Sequence, residues 1–131
     1  VAVWARRPAQ AREAAMLAGK RGRVSDLREA AEMDLVVHAT PAGMRGSAAA
    51  AVDPSVPTDQ LGPGQVVVDL VYEPAVTAWL SGASLRGATT LGGLGMLVHQ
   101  AAAQIERWTT RAAPLDAMWA AASAAIASRA P

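Results

Sequence analysis

The residues with chemical capacity in this chain fall in four short stretches. Gly92, Gly93 and Gly95 stand at the head of a run with helical periodicity. Glycine weakens a helix, so three of them in so short a span need a reason. Either a ligand approaches the backbone there, or the helix start packs tightly on a neighbour. Gln100 follows one turn inside the helix, and its amide both donates and accepts hydrogen bonds; its bland reading is a solvated side chain. Arg6 and Arg7 follow the opening apolar residues. A guanidinium pairs bidentately with phosphate and stacks on flat rings, and the alternative is a basic surface turn. His38-Ala39-Thr40 closes an apolar run in small residues, which exposes backbone where open α/β sheets bind ligands. His38 itself reads as a buried, satisfied side chain rather than a proton carrier. Asp69 and Tyr72 close another such run. Asp69 is expected to orient backbone at a strand end, and the bland reading of Tyr72 is a strand-end aromatic with its hydroxyl in water.

These residues need elements to hold them. Val1–Trp4 reads as a short strand, ended by Arg6, Arg7 and Pro8. Ala9–Ala18 is helix-forming, with Pro8 in its first turn and Gly19 suited to its C-cap. Arg21–Val24 is a weak minor strand. Ser25 resembles an N-cap for a short helix over Asp26–Glu32, with Arg28 where a capping box needs Glu. Asp34–Thr40 is a buried strand by composition, stopped by Pro41 and Gly43. Arg45–Pro63 is loop-like, with a turn of helix near Thr58–Leu61. Gln65–Tyr72 is the clearest strand, and its continuous apolar run suggests burial on both faces. Pro74 is expected to open a helix through Leu80, ended by Gly82. Leu85–Leu91 is a last short strand. In the helix after the glycines, Leu94, Leu97, Ala101, Ile105 and Trp108 would face a core. Pro114 opens a final helix with the stripe Leu115, Met118, Trp119, Ala122 and Ile126. This order predicts an α/β fold with a mostly parallel sheet and flanking helices.

Three motifs in fixed order carry a resemblance. Gly93-Leu-Gly-Met-Leu-Val-His-Gln-Ala-Ala resembles the C-terminal signature of the shikimate dehydrogenase family. His38-Ala-Thr-Pro-Ala-Gly-Met44 resembles that family's Asn-Ala-Thr-Pro-x-Gly-Met, and Val68-Asp-Leu-Val-Tyr-Glu-Pro74 its Asp-x-Val-Tyr-x-Pro. The resemblance spans essentially the whole chain and only the second half of a family member. It implies a Rossmann-like domain lacking its first strand and glycine-rich turn, with a C-terminal helical pair and no substrate domain. In the strand order 3-2-1-4-5-6 the lacking strand is central. Its loss would leave unpaired edges on Val1–Trp4 and Asp34–Thr40, which must close on each other, pair with another chain or stay open. The apolar start at Val1 suggests a fragment, or a gene without its 5′ half.

The resemblance also implies roles. It makes the chain part of an NADPH-dependent oxidoreductase that interconverts 3-dehydroshikimate and shikimate in aromatic amino acid biosynthesis. Arg6 and Arg7 would meet the 2′-phosphate of NADP, at the strand end where an acidic residue would meet the ribose of NAD. Ala39, Thr40, Leu70 and the backbone of Gly93 would line the nicotinamide. Tyr72 and Gln100 would hold the substrate. The family has Asn-Arg-Thr where this chain has Ala5-Arg6-Arg7, and Asn where it has His38. The family's proton-transfer Lys and Asp belong to the substrate domain. The one lysine here, Lys20, stands at a helix C-terminus, where a cation is simply favourable, so no catalytic residue is assigned. No G-x-G-x-x-G occurs, and Gly92–Gly95 follows the last strand of the unit rather than the first.

Composition narrows the rest. A formal charge of +1 gives no field for nucleic acid or an anionic membrane. Without cysteine there is no disulfide and no thiolate chemistry. The two His and scattered acids lack metal-ligand spacing. No apolar run reaches the roughly 18 residues of a membrane span, and a cytoplasmic location is the default expectation. Two alternatives stand beside the shikimate reading. One is a fragment of a quinate-using or glutamyl-tRNA-reductase-like dehydrogenase. The other is a non-catalytic product that associates through its unpaired strand edges.

Overall fold

A computed structural model describes residues 1–46 and 56–129. The elements are β1 (Ala2–Val3), α1 (Pro8–Leu17), β2 (Arg23–Val24), β3 (Leu35–His38), β4 (Val66–Asp69), α2 (Ala78–Leu85), β5 (Thr89–Leu91), α3 (Leu94–Thr109) and α4 (Leu115–Ala127). Short 3₁₀ turns cover Gly19–Arg21, Leu27–Glu32 and Thr58–Gln60. All described strand pairs are parallel: β1 with β2, and β3 with β4 with β5. The order matches the expected 3-2 and 4-5-6 halves of a Rossmann-like sheet, with no described strand between β1 and β3. The two expected edges therefore do not close on each other.

The core sits on one face of the three-stranded half. Val36 and Val67 point from β3 and β4 towards Trp79, Leu80 and Ala83 of α2, with Leu61 and Ala88 filling the sides. Burying each large apolar side chain contributes roughly 1.5–3 kcal/mol. Buried Gln65 fastens β4 to the preceding turn: its Nε2 donates to Ala30 O at 2.8 Å and Met33 O at 2.7 Å, while its Oε1 accepts from Gly62 N at 2.9 Å. The other face is less covered than composition suggests. Leu35 and Val37 of β3 are exposed, and Val66 and Val68 of β4 are only half-buried. Parallel strands need helices on both faces, and among the described residues one face lacks its layer.

Several local expectations need correction. The cap of the Leu27–Glu32 turn is Asp26, not Ser25. Asp26 Oδ1 accepts from Arg28 N at 2.9 Å, and Asp26 N donates to Glu29 at 3.2 Å, so the capping box is complete one residue later. Pro74 does not open α2. Thr77 does, its hydroxyl accepting from Leu80 N. Gly82 lies inside α2 rather than ending it. A Cβ there would meet Thr58 Cγ2 at 2.7 Å, so glycine lets the Thr58–Gln60 turn pack on the helix. Gly87, at φ +89°, turns the chain after α2. Leu85 thus belongs to α2, and only Thr89–Leu91 is strand. On α3 the buried residues are Val98 and Ala102. Leu94, Leu97, Ala101 and Ile105 are half-buried beside them, and Trp108 is exposed. The stripe on α4 is as expected, although each of its members is half-buried only. The helical pair meets where Trp119 packs over Gly95 and against the edge of His99. Of the Arg45–Pro63 loop, residues 47–55 lie outside the described residues. No described helix is long and apolar enough to cross a membrane.

Candidate functional site

The carboxyl ends of β3, β4 and β5 lie side by side, which places three of the four stretches together. Leu70 N donates to His38 O at 3.0 Å, and Gly93 N donates to Val71 O at 3.1 Å. Gly93 is buried against the end of β4: a Cβ there would lie 2.2 Å from Leu70 O. Gly92 is similarly tight, with Ala75 O at 2.8 Å from an added Cβ. Of the two reasons for glycine here, packing of the helix start on a neighbour is the one seen in these contacts.

Beneath this edge runs a buried polar chain. Asp69, with no exposed surface, accepts from His38 Nδ1 at 3.0 Å and from Val71 N at 3.0 Å on one oxygen, and from the Thr77 hydroxyl at 2.8 Å on the other. The Thr40 hydroxyl lies 2.6 Å from His38 Nε2. A ring with its proton on Nδ1 satisfies all these groups, with Thr40 as donor to Nε2. Trp79 closes the side, its ring centroid 5.3 Å from that of His38. Burial pushes the Asp69 carboxyl up, but the hydrogen bonds from His38, Val71 and Thr77 outweigh it and hold the group below its ordinary range. His38 is thus the satisfied side chain expected, and Asp69 orients the backbone beyond β4 through Val71.

The remaining sequence-derived positions are placed as follows. Ala39 and Thr40 are exposed at the end of β3, and Leu70 and Tyr72 are half-buried after β4. Gln100 is exposed on α3. Neither Tyr72 nor Gln100 hydrogen-bonds through its side chain to another described residue. Arg6 and Arg7 are exposed between β1 and α1, on the other half-sheet, with Arg7 as the helix N-cap residue. Neither arginine forms an ion pair among the described residues. Lys20 lies in the turn before β2, at the opposite edge from the strand carboxyl ends.

Two features escaped sequence reasoning. Thr77 both caps α2 and bonds Asp69; a hydroxyl residue shortly before an apolar helical run was the available signal. Glu73 accepts from Arg129 at 3.1 Å, Arg45 N donates to Glu73 O at 2.9 Å, and Arg45 Nη1 donates to Arg129 O at 2.7 Å. This cluster ties the loops after β3 and β4 to the end of α4, and nothing local in sequence announces it. No group of three or more potential metal ligands occurs among the described residues.

Comparison with known proteins bears on this edge. A family model described as the Shikimate 5'-dehydrogenase C-terminal domain matches residues 93–122. A Desulforamulus reducens protein named shikimate dehydrogenase (NADP(+)) is 44% identical over 89 residues, covering 66% of this chain and 29% of the relative. The crystal structure of shikimate 5-dehydrogenase from Thermus thermophilus, in complex with NADP(H) and shikimate, is similar at a TM-score of 0.82 and 33% identity, covering 95% of this chain and 46% of that one. The quinate dehydrogenase of Corynebacterium glutamicum, in complex with NAD, gives a TM-score of 0.72 at 28% identity, over 85% of this chain and 41% of that one. The chain spans less than half the length of each of these relatives.

Proposed function

Because the chain belongs to the shikimate dehydrogenase family, we propose that it forms part of the NADP-binding portion of a shikimate dehydrogenase and takes part in the reversible reduction of 3-dehydroshikimate to shikimate. The observation that carries this reading is the convergence of Thr40, Leu70 and Gly93 at one sheet edge, with Arg6 and Arg7 exposed at the end of β1 and in no ion pair among the described residues. The donor set suits the cofactor. The two exposed guanidinium groups offer bidentate bonds to a 2′-phosphate. Ala39, Thr40 and Leu70 present small or apolar surface where a nicotinamide would lie. When bound, the cofactor would supply the hydride.

The chain's own part is positional. Asp69 fixes the Val71 amide, and Gly93 keys the start of α3 to the same backbone, so the wall under the nicotinamide is rigid. Tyr72 and Gln100 have polar groups with no side-chain hydrogen bond among the described residues, suited to the carboxylate and hydroxyls of shikimate. No residue takes the proton-transfer role, and the isolated chain is expected to bind without turning over. Of its proposed partners, NADP and shikimate are small molecules; neither nucleic acid nor a membrane figures in the reading.

Titration with NADPH and NADH, followed by tryptophan emission, tests this. The parent chain is expected to prefer NADPH. Replacing Arg6 and Arg7 together by Ala should cost NADPH about 1.5–3 kcal/mol, roughly ten- to a hundredfold in affinity, with NADH little changed. An equal loss for both cofactors would remove the arginines from 2′-phosphate recognition. No saturable binding of either cofactor to the parent would refute cofactor binding by the chain as it stands.

A further inference from the structure

His38 is a buried titratable group with a partner on each ring nitrogen, and nothing in the proposed reduction uses its proton. Its placement follows from the strands. Side chains two apart on an extended segment point the same way, so Thr40 follows His38. The parallel register sets His38 opposite Asp69 on β4. Three groups therefore stand in line. Asp69 Oδ1 lies 3.0 Å from His38 Nδ1, and His38 Nε2 lies 2.6 Å from Thr40 Oγ1. Asp69 is fully buried, His38 is 7% exposed and Thr40 faces solvent. The line runs from the interior outwards and ends on a hydroxyl. The family motif has Asn where this chain has His38, and an amide takes up no proton near neutral pH. The relay thus belongs to this chain's own sequence.

From this geometry we infer that Thr40, His38 and Asp69 form a nucleophilic triad, giving the chain a second activity: hydrolysis of small, activated carboxylic esters. Such triads are recognised by geometry and role, not by order in the chain. His38 Nε2, unprotonated while Nδ1 donates to Asp69, accepts the Thr40 proton as Oγ1 attacks the ester carbonyl carbon. The Asp69 carboxylate stabilises the imidazolium that forms. Collapse of the tetrahedral adduct breaks the bond to the alcohol oxygen, and His38 returns the proton to the departing alcohol. Water then attacks the acyl group on Thr40 by the same route. Its proton passes to Nε2, the bond to Oγ1 breaks, the carboxylic acid leaves and the proton restores the Thr40 hydroxyl. The sum is ester plus water to acid plus alcohol, with nothing oxidised or reduced. The Ala42 N–H points at Thr40 Oγ1 across 3.3 Å, longer than the roughly 2.7–3.2 Å of a settled bond. It can turn to the oxyanion that develops beside that oxygen. The branched threonine favours a small acyl group.

The probe is 4-nitrophenyl acetate, offered to the full chain without nucleotide, so the result is independent of cofactor binding. Absorbance follows the nitrophenolate released, and peptide mass mapping places the acetyl group. The parent is expected to carry acetyl on Thr40, and Thr40→Ser to keep the reaction. His99→Ala removes an exposed imidazole outside the relay and should leave the rate at Thr40 unchanged. His38→Asn should slow acetylation of Thr40 at least about a hundredfold, the lower end of what a general base contributes. Asp69→Asn keeps an acceptor for Nδ1 and loses the charge. Nitrogen NMR of its His38 ring should still show the proton on Nδ1, while acetylation slows at least about tenfold. Circular dichroism checks that each variant is folded, and if one unfolds the other decides. The inference is overturned if acetyl groups gather only on Lys20, His99 or the N-terminus. It is equally overturned if folded His38→Asn or Asp69→Asn acetylates Thr40 at the parent rate.

Discussion

Gly93→Ala is expected to destabilise the chain by more than about 4 kcal/mol, enough to unfold a domain of ordinary stability. The cause is steric. Gly93 has φ −72° and ψ −12°, angles open to any residue. An added Cβ, however, would lie 2.2 Å from Leu70 O, 2.5 Å from Leu70 C and 2.8 Å from Val71 O. All three atoms are backbone at the end of the central strand, and the Gly93 N–H is bonded to one of them. Relief requires moving either β4 or the start of α3. Gly95→Ala is the control. Its Cβ would make ordinary contacts with the Trp119 ring at 3.6 and 3.8 Å. Alanine also suits a helix better than glycine, so this change should be neutral or stabilising by up to about 1 kcal/mol. Urea denaturation followed by circular dichroism separates the two. Similar midpoints for both variants would show that the Gly93 contact yields easily.

That contrast marks what was legible in sequence. Three glycines ahead of a helix announced a close approach, but not which of them was needed or by what. The partner of Gly93 comes from β4, and no local pattern encodes a contact between segments so far apart. The ends of α1 were readable because Pro8 and Gly19 act on their own backbone. The start of α2 was misread because two residues competed for it. Pro74 is the stronger local signal, yet Thr77 satisfies both a helix amide and the Asp69 carboxylate, and the tertiary bond decides. Burial of β3 and β4 was overestimated for a similar reason. Val-rich runs report that a strand is apolar on both sides, not that a helix is present on both. The positions of Thr40, Leu70 and Gly93 at one edge followed from motif order and the parallel-sheet rule. The His38–Asp69–Thr77 network did not, because its members come from three separate elements.

The second large effect is expected at Asp69. Asp69→Ala leaves the His38 ring N–H, the Val71 amide and the Thr77 hydroxyl without their acceptor in a buried site. Stranded buried donors cost about 1–3 kcal/mol each before relaxation, and the loss here should reach roughly 3–5 kcal/mol. Asp69→Asn keeps an acceptor for His38 and Val71 and lets the Thr77 hydroxyl reverse its role, so it should lose less. The pair also separates charge from hydrogen bonding through pH. The folded-state pKa of Asp69 lies below its ordinary 3.8, so the folded state binds the proton less readily than the unfolded chain. Its stabilisation is therefore complete well above pH 4 and declines as pH falls through the folded value. Glu29, held at about 2 by its hydrogen bond from Arg23, makes both proteins acid-sensitive and cancels in the comparison. The stability gap between parent and Asp69→Asn should thus be constant from pH 5 to 7 and narrow below about pH 4. Thermal melts across that range measure it. A gap that holds constant into strong acid would mean that the carboxylate charge contributes nothing, and that the network stabilises the strand ends through neutral hydrogen bonds alone.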